Sequence, residues 1–318
     1  MNAFAWSNGG YSTDPSYPDY ATHDWIAQHA LDWLPSEEKQ FILDNLPAYL
    51  YGTELPDNAG APDGIGDKVK HHVYYWANRS LQDDSSAVRA WSECNIALVY
   101  LGANDYSTAA KSAGIMSHYV VDVGVFGHVM GIDTDWGDET HHSDYEGYVE
   151  TRTSNYSDQF NSYLSFDGSL EQISAYNATL KLAYDTTFDT NGTLTCVWMD
   201  QHYNWSDPTF KNRAGESLNL AVNILADVLH TLYLASLNWH QPWDITGPTK
   251  WIPDNKCDIR DIATAARLFG SVIGDGRYDR RADITGEQYL VPNGKIDIKD
   301  CALIAKHFGE TYSLAIAQ

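Results

Sequence analysis

Two histidine–carboxylate pairs, each spaced four residues apart, constrain this chain most: His118-Tyr-Val-Val-Asp122 and His142-Ser-Asp-Tyr-Glu146, with His128 between them. Residues four apart lie one above the other on an α-helix, whereas on a strand they would be about 13 Å apart. The pattern therefore asks for two helices, each presenting a polar pair to one cleft. His128 follows Gly124 and Gly127, where the first of those helices should end. Imidazole nitrogen and carboxylate oxygen are the donors zinc takes, at about 2.0–2.2 Å. One such pair is ordinary on a surface helix; two pairs with an intervening histidine can grip two or more ions.

The first ~240 residues read as helices joined by long irregular connections. Trp25, Ile26, His29, Ala30 and Trp33 fall at helical spacing in the stretch from Ala21 to Leu34. Further helices are expected over Ser86–Leu101, Thr108–Val125, Ser169–Tyr184 and Arg213–Leu237. Strand-like alternation is scarce, so the fold class is all-α. Pro56, Gly60, Pro62, Gly64 and Gly66 mark one long loop, and Asp133–Asp144 marks another. Long loops in a compact helical domain are usually functional. More candidate ligands flank them: His23, Asp57 (with Glu54, Asp63 and Asp67 nearby), and the adjacent pair His71-His72.

With 43 Asp and Glu against 20 Lys and Arg, the net charge is −23. That argues against a nucleic acid held mainly through its phosphates, and no nucleic-acid partner is expected. It is compatible with bound cations. Hydrophobic residues at 43% suffice for a core. No uninterrupted apolar run reaches the ~18–20 residues that cross a bilayer, so an integral membrane protein is not expected. Eleven Trp and 21 Tyr suit carbohydrate, choline or lipid-interface contacts.

Five Asn-x-Ser/Thr sequons, at Asn78, Asn155, Asn177, Asn191 and Asn204, point outside the cell. Ala3-Phe4-Ala5 fits a small-x-small cleavage site that leaves Trp6 as the first mature residue, so a secreted protein is expected. Four cysteines allow three pairings; Cys94–Cys196 and Cys257–Cys301 respect the domain boundary, with buried free thiols as the alternative.

After Trp239 the character changes to an internal repeat with a period of 39 residues. Asp244-Ile-Thr-Gly and Pro253 to Asp261 form one copy; Asp283-Ile-Thr-Gly and Pro292 to Asp300 form the other, and each leads into a short helix ending at Gly. Oxygen-rich loops of this kind suit hard cations. Asp244, Thr246, Asp254, Asp258 and Asp261 could surround one calcium ion, and Asp283, Thr285, Asn293, Asp297 and Asp300 a second. The loop-then-helix repeat resembles a dockerin module, with about five residues inserted into each loop. The resemblance implies a cohesin-type partner. The chain then divides into a catalytic domain over 6–240 and a calcium-binding module over 241–318.

The motifs from His23 to Glu146 together resemble the bacterial zinc-dependent phospholipases C, all-helical enzymes holding three zinc ions. The resemblance implies that Asp57, His72, His118 and Asp122 hold one zinc, and that His128, His142 and Glu146 hold another. A third would take His23, a shared Asp122, and the amine and carbonyl of Trp6. His71 and His141 are the adjacent alternatives to His72 and His142. The implied reaction is hydrolysis of a phospholipid by a zinc-activated water, giving diacylglycerol and a phosphorylated head group, with Asp57 orienting or deprotonating that water. Tyr51, Tyr74, Tyr75, Trp76, Phe126 and Trp136 are aromatics available near the cleft. A single-strand nuclease sharing the trinuclear site is the main rival; a non-catalytic metal-binding surface protein is another.

Overall fold

The structure, a computed structural model, describes residues 11–61, 63–237, 241–251, 253–287, 289–290 and 292–311. Eleven α-helices appear among them: α1 (Thr22–Ala30), α2 (Ser36–Leu43), α3 (Leu46–Glu54), α4 (Ser85–Gly102), α5 (Tyr106–Asp122), α6 (His142–Glu150), α7 (Ala175–Phe188), α8 (Cys196–Gln201), α9 (Pro208–Leu237), α10 (Ile259–Leu268) and α11 (Ile298–Lys306). The one described sheet is a hairpin of β1 (Tyr74–Tyr75) and β2 (Leu81–Asp83), paired antiparallel. The chain divides into two compact units: Met1–Cys94 with Tyr106–Tyr233, and Asn95–Asp105 with Leu234–Gln318.

In the first unit α5 is the central element. Its residues from Ala109 to Asp122 are nearly all buried, and it packs on α1, α2, α3 and α7. A helix apolar on every side belongs in a core. The tightest of these contacts runs through two glycines. A Cβ on Gly114 would overlap the Tyr49 carbonyl, and one on Gly52 would overlap the Lys111 carbonyl. The backbones of α3 and α5 therefore touch, a spacing any side chain would forbid.

The expected boundaries shift for identifiable reasons. α5 ends at Asp122, and Phe126–His128 is a separate 3-10 turn after the extended Val125. α7 starts at Ala175 rather than at Ser169 because the preceding segment is strapped along α9. Ser165, Asp167, Glu171 and Ile173 donate their backbone N–H groups to Asn219, Asn223, Asp227 and Thr231. Those acceptors recur at every fourth position of one helix, so they form a stripe on one face of α9. α9 contains a window long and apolar enough, by mean hydropathy, to cross a membrane, although Asn219, Asn223 and Asp227 interrupt its apolar run. More than half of that window is buried in the protein, and the polar stripe is bonded to protein backbone.

The second unit carries the repeat into three dimensions. Its core pairs Trp243 with Ala282, Ile245 with Ile284, Cys257 with Ile296, and Ala265 with Ile304, each pair 39 apart. Left-handed backbone recurs at the same offset: Trp251 and Leu290, Asn255 and Gly294, Gly270 and Gly309. All four cysteines are free thiols, so the expected disulfides are not formed. The Cys257 thiol instead donates to the Ile304 carbonyl at 3.3 Å.

Candidate metal centre

Five segments of the first unit bring the histidines and carboxylates together. α1 supplies His23 from its first turn, and the chain after α3 supplies Asp57. His71 follows the 3-10 turn Lys68–Lys70. α5 ends on His118 and Asp122, and the turn beyond it carries His128. α6 opens with His142 and Glu146 one turn apart. All eight side chains are at least nine-tenths buried. His142 fits because position 127 is glycine: a Cβ there would lie 2.5 Å from the imidazole Cγ.

Three groups have ligand atoms within 4.8 Å of one another: His23, His118 and Asp122; Asp57, His71 and His118; His128, His142 and Glu146. Asp122 links them. One of its oxygens is 3.5 Å from His23 Nε2 and 3.6 Å from His128 Nε2. The other is 3.2 Å from His71 Nδ1 and 3.5 Å from His118 Nε2. His71 Nδ1 is also 3.4 Å from an Asp57 oxygen and 3.2 Å from His118 Nε2. His128 Nε2 lies 3.6 Å from Glu146, and His142 Nε2 lies 2.8 Å from the same oxygen.

These separations test whether the residues fit zinc. Four donors at about 2.1 Å in a tetrahedron stand about 3.4 Å apart. Most of the observed distances cluster at that value. They are long for hydrogen bonds, and several buried atoms make none: both nitrogens of His23, Nε2 of His128 and Oε2 of Glu146. Buried polar atoms left so are costly, and a shared cation would satisfy them together. The donor set, imidazole with carboxylate, matches the metal as well as the spacing does.

Electrostatics agree. Burial pulls the imidazoles of His23 and His128 down to about 3, so both are neutral with lone pairs to offer. Burial would raise Asp122, but the neighbouring His128 and His118 hold it well below the ordinary carboxylate value. Burial opposes protonation of His71 and His142, yet the carboxylates around them win, raising His71 to about 9 and His142 to about 10. Glu146 is raised well above its ordinary value by burial. With no metal, protons neutralise this cluster; a cation would displace them.

The outer nitrogens are held too. His118 Nδ1 donates to the Thr53 carbonyl at 2.6 Å, a contact the Gly52–Gly114 approach makes possible. His142 Nδ1 is 3.0 Å from Glu139. Such partners fix which nitrogen faces a metal.

One of the sequence readings changes. His71, not His72, enters the cluster: His72 lies outside it, 3.2 Å from Asp83 and stacked on Tyr74. The 3-10 turn directs the first histidine inward, a local geometry that spacing from Asp57 could not reveal. His142 is the inward member of the other pair, while His141 sits 3.2 Å from Asp200. Asp67 and Glu139, which stand behind the cluster, were not read as partners of His71 and His142; their i,i+4 and i,i+3 offsets were the available signal. Trp6 lies outside the described residues.

In the second unit the ten calcium candidates occupy matching places. Asp261 accepts from the Ile245, Thr246 and Asp258 N–H groups, and Asp300 accepts likewise from Ile284, Thr285 and Asp297. Asp244 accepts from Asp254 and Lys256, and Asp283 from Asn293 and Gly294. The Thr246 and Thr285 hydroxyls accept from Trp251 and Leu290. Asp258 and Asp297 are helix N-caps, and Arg260 pairs with both Asp254 and Asp258. Among the described residues, the groups of converging histidine and acid ligands all fall in the first unit.

The profile of the family described as zinc dependent phospholipase C matches residues 22–195, more than half of the chain. Two solved structures are similar at low identity. The alpha toxin from Clostridium absonum is 15% identical with a TM-score of 0.46, over 72% of this chain and 66% of that one. The alpha-toxin of Clostridium perfringens from an avian strain is 13% identical with a TM-score of 0.45, over 71% of this chain and 66% of that one. This chain thus spans just under two thirds of the length of those toxins. No curated protein matches it.

Proposed function

We propose that this chain, which belongs to the zinc dependent phospholipase C family, hydrolyses a phospholipid to diacylglycerol and a phosphorylated head group, with a phosphatidylcholine-like substrate. The observation that carries the reading is the buried convergence of His23, Asp57, His71, His118, Asp122, His128, His142 and Glu146 at tetrahedral donor spacing. His71 takes the place read for His72. Asp57, His71, His118 and Asp122 would hold one zinc; His128, His142 and Glu146 a second; His23 and Asp122 a third, with the amine and carbonyl of Trp6.

Zinc bound there would supply Lewis-acid neutralisation of the phosphate and lower the pKa of an attacking water. The chain supplies the rest. Asp122 reaches toward every group and fixes their mutual distance. Thr53 and Glu139 hold His118 and His142 in single ring orientations. Asp57, with a carboxylate oxygen 3.4 Å from His71 Nδ1, would be the group that orients or deprotonates the attacking water.

The remaining parts of the proposal are secretion, calcium and a partner. All five sequon asparagines are exposed, as an acceptor outside the cell would be. Two calcium ions in the repeat loops have one observation behind them, Asp254 Oδ1, a buried oxygen with no hydrogen bond; a cohesin-type partner follows from the dockerin resemblance alone.

Product analysis tests the activity. Zinc-loaded protein beginning at Trp6 is incubated with phosphatidylcholine and, separately, with single-stranded DNA. Diacylglycerol and phosphocholine, abolished by a chelator and restored by zinc, are expected. Nucleotides from DNA with intact lipid would move the function to the nuclease branch. Cleavage of neither substrate at full zinc occupancy would overturn the hydrolase reading.

A further inference from the structure

We infer that Asp67, anchored by Arg89, is a positioning residue that turns His71 so that Nδ1 rather than Nε2 faces the metal centre; this rests on the zinc reading above. Four histidines of the cluster point Nε2 at Asp122 or Glu146: His23, His118, His128 and His142. His71 is reversed. Its Nδ1 faces Asp57 and Asp122, and its Nε2 faces away, 3.5 Å from Asp67.

Asp67 has little freedom to move. One oxygen accepts the Tyr119 hydroxyl at 2.6 Å, and the other accepts Arg89 Nε at 2.9 Å. Arg89 is itself buried, donating to Glu93 at 2.9 Å and to the Tyr119 hydroxyl at 3.2 Å. The Tyr119 ring meets His71 edge-on, with centroids 5.3 Å apart. His71 is thus walled by Tyr119 and has carboxylates at both nitrogens: Asp57 and Asp122 beside Nδ1, where a metal would engage them, and the fixed Asp67 beside Nε2. With Asp57 and Asp122 engaged by a cation, the imidazole would give that cation its Nδ1 lone pair and keep its proton on Nε2, where Asp67 is the carboxylate in reach. His71 Nε2 makes no hydrogen bond as it stands. The Asp67 oxygen is the acceptor in reach once the ring is drawn up.

The one-residue economy of this device is visible in the chain. Asp67 and His71 bracket the 3-10 turn Lys68–Lys70, so carboxylate and imidazole are set by the same four-residue offset. His72, one position on, is carried away from the cluster by the same turn.

Histidine ring ¹⁵N spectra of the zinc-loaded protein test the inference, together with zinc affinities from chelator competition. Wild type should show one ring bound through Nδ1, protonated at Nε2, and the others bound through Nε2. Asp67→Asn keeps the volume and loses the charge. It should lose that signature and weaken one zinc by about 10- to 100-fold while the others hold. If Asp67→Asn does not fold, Arg89→Lys loosens the same carboxylate and should weaken the same ion several-fold. Zinc bound by wild type with every ring ligated through Nε2 would overturn the role of Asp67 alone. So would unchanged zinc affinity in a folded Asp67→Asn or Arg89→Lys protein. Failure of wild type to bind zinc at all would overturn the metal centre itself.

Discussion

In the helical unit, Asp122 and Glu146 meet imidazoles at distances near those of a coordination shell, and neighbouring ring nitrogens make no hydrogen bond. In the repeat unit, Asp244, Asp261, Asp283 and Asp300 are just as buried, yet their oxygens accept backbone N–H groups at 2.8–3.3 Å. Both regions are acidic and both read as metal sites from residue type. What separates them is how each oxygen is already satisfied. A carboxylate bonded to main chain organises a loop; one facing several imidazoles, with buried donors unpaired around it, is a site that needs a cation.

The largest expected effect comes from the residue that joins the three groups. Asp122→Ala should release zinc from more than one position and lower diester hydrolysis by about 10³-fold or more, since a Lewis acid contributes several kcal/mol to such a barrier. Metal analysis beside kcat checks this; full zinc content in the variant would break the view of Asp122 as the shared ligand. A second, smaller effect follows from the glycine contact. Gly114→Ala must push α3 from α5, and should cost about 1–3 kcal/mol of stability in urea unfolding. It should also weaken zinc binding, because the Thr53 carbonyl then draws away from His118.

Much of this contrast was legible in the chain. The i,i+4 pairs gave the helices and the inward faces, because helical periodicity fixes direction as well as spacing. The 39-residue repeat gave the paired loops of the second unit, though not the Asn95–Asp105 segment that groups with them. Three things were not legible. α2, α3 and α8 are short helices set by packing rather than by a strong apolar period. The exchange of His71 for His72 depends on a 3-10 turn, where one residue changes the direction by about 120°. The third is the difference between the two acidic regions. A sequence shows donors and acceptors by type, but not which backbone N–H each carboxylate has already taken.

The pH response should separate the regions next. Burial, with Asp261 and Asp254 nearby, raises Asp244 to about 6, against an ordinary 3.8. Asp261 and Asp300 are raised by burial as well. The folded repeat therefore holds protons that the unfolded chain has released between about pH 4 and 6. Stability must then rise as pH falls from 7 through 6 toward 4, the reverse of ordinary acid weakening. Asp258, held down to about 2 chiefly by its hydrogen bond to Arg260, does not offset this until much lower pH. Hydrogen exchange at the amides of α10 and α11, in a calcium-free buffer at pH 7 and pH 5.5, checks the sign once each rate is divided by the intrinsic rate at that pH. Greater protection at pH 5.5 is expected; lower protection would mean that the backbone bonds already neutralise these carboxylates fully.

The smallest effect sharpens the comparison furthest, because it asks what a single carboxylate in the repeat is for. Asp297 caps α11 through its bond to the Lys299 N–H, inside a capping box with Asp300. Serine caps a helix about as well as aspartate, and alanine costs about 1 kcal/mol. If capping is the whole role, Asp297→Ser should melt with the wild type and Asp297→Ala a few degrees lower, with the same difference whether or not calcium is added. Asp258, at the matching place on α10, should behave the same way. If calcium protects the wild type and fails to protect Asp297→Ser, the carboxylate is doing what serine cannot, and the repeat joins the helical unit as a metal-holding region.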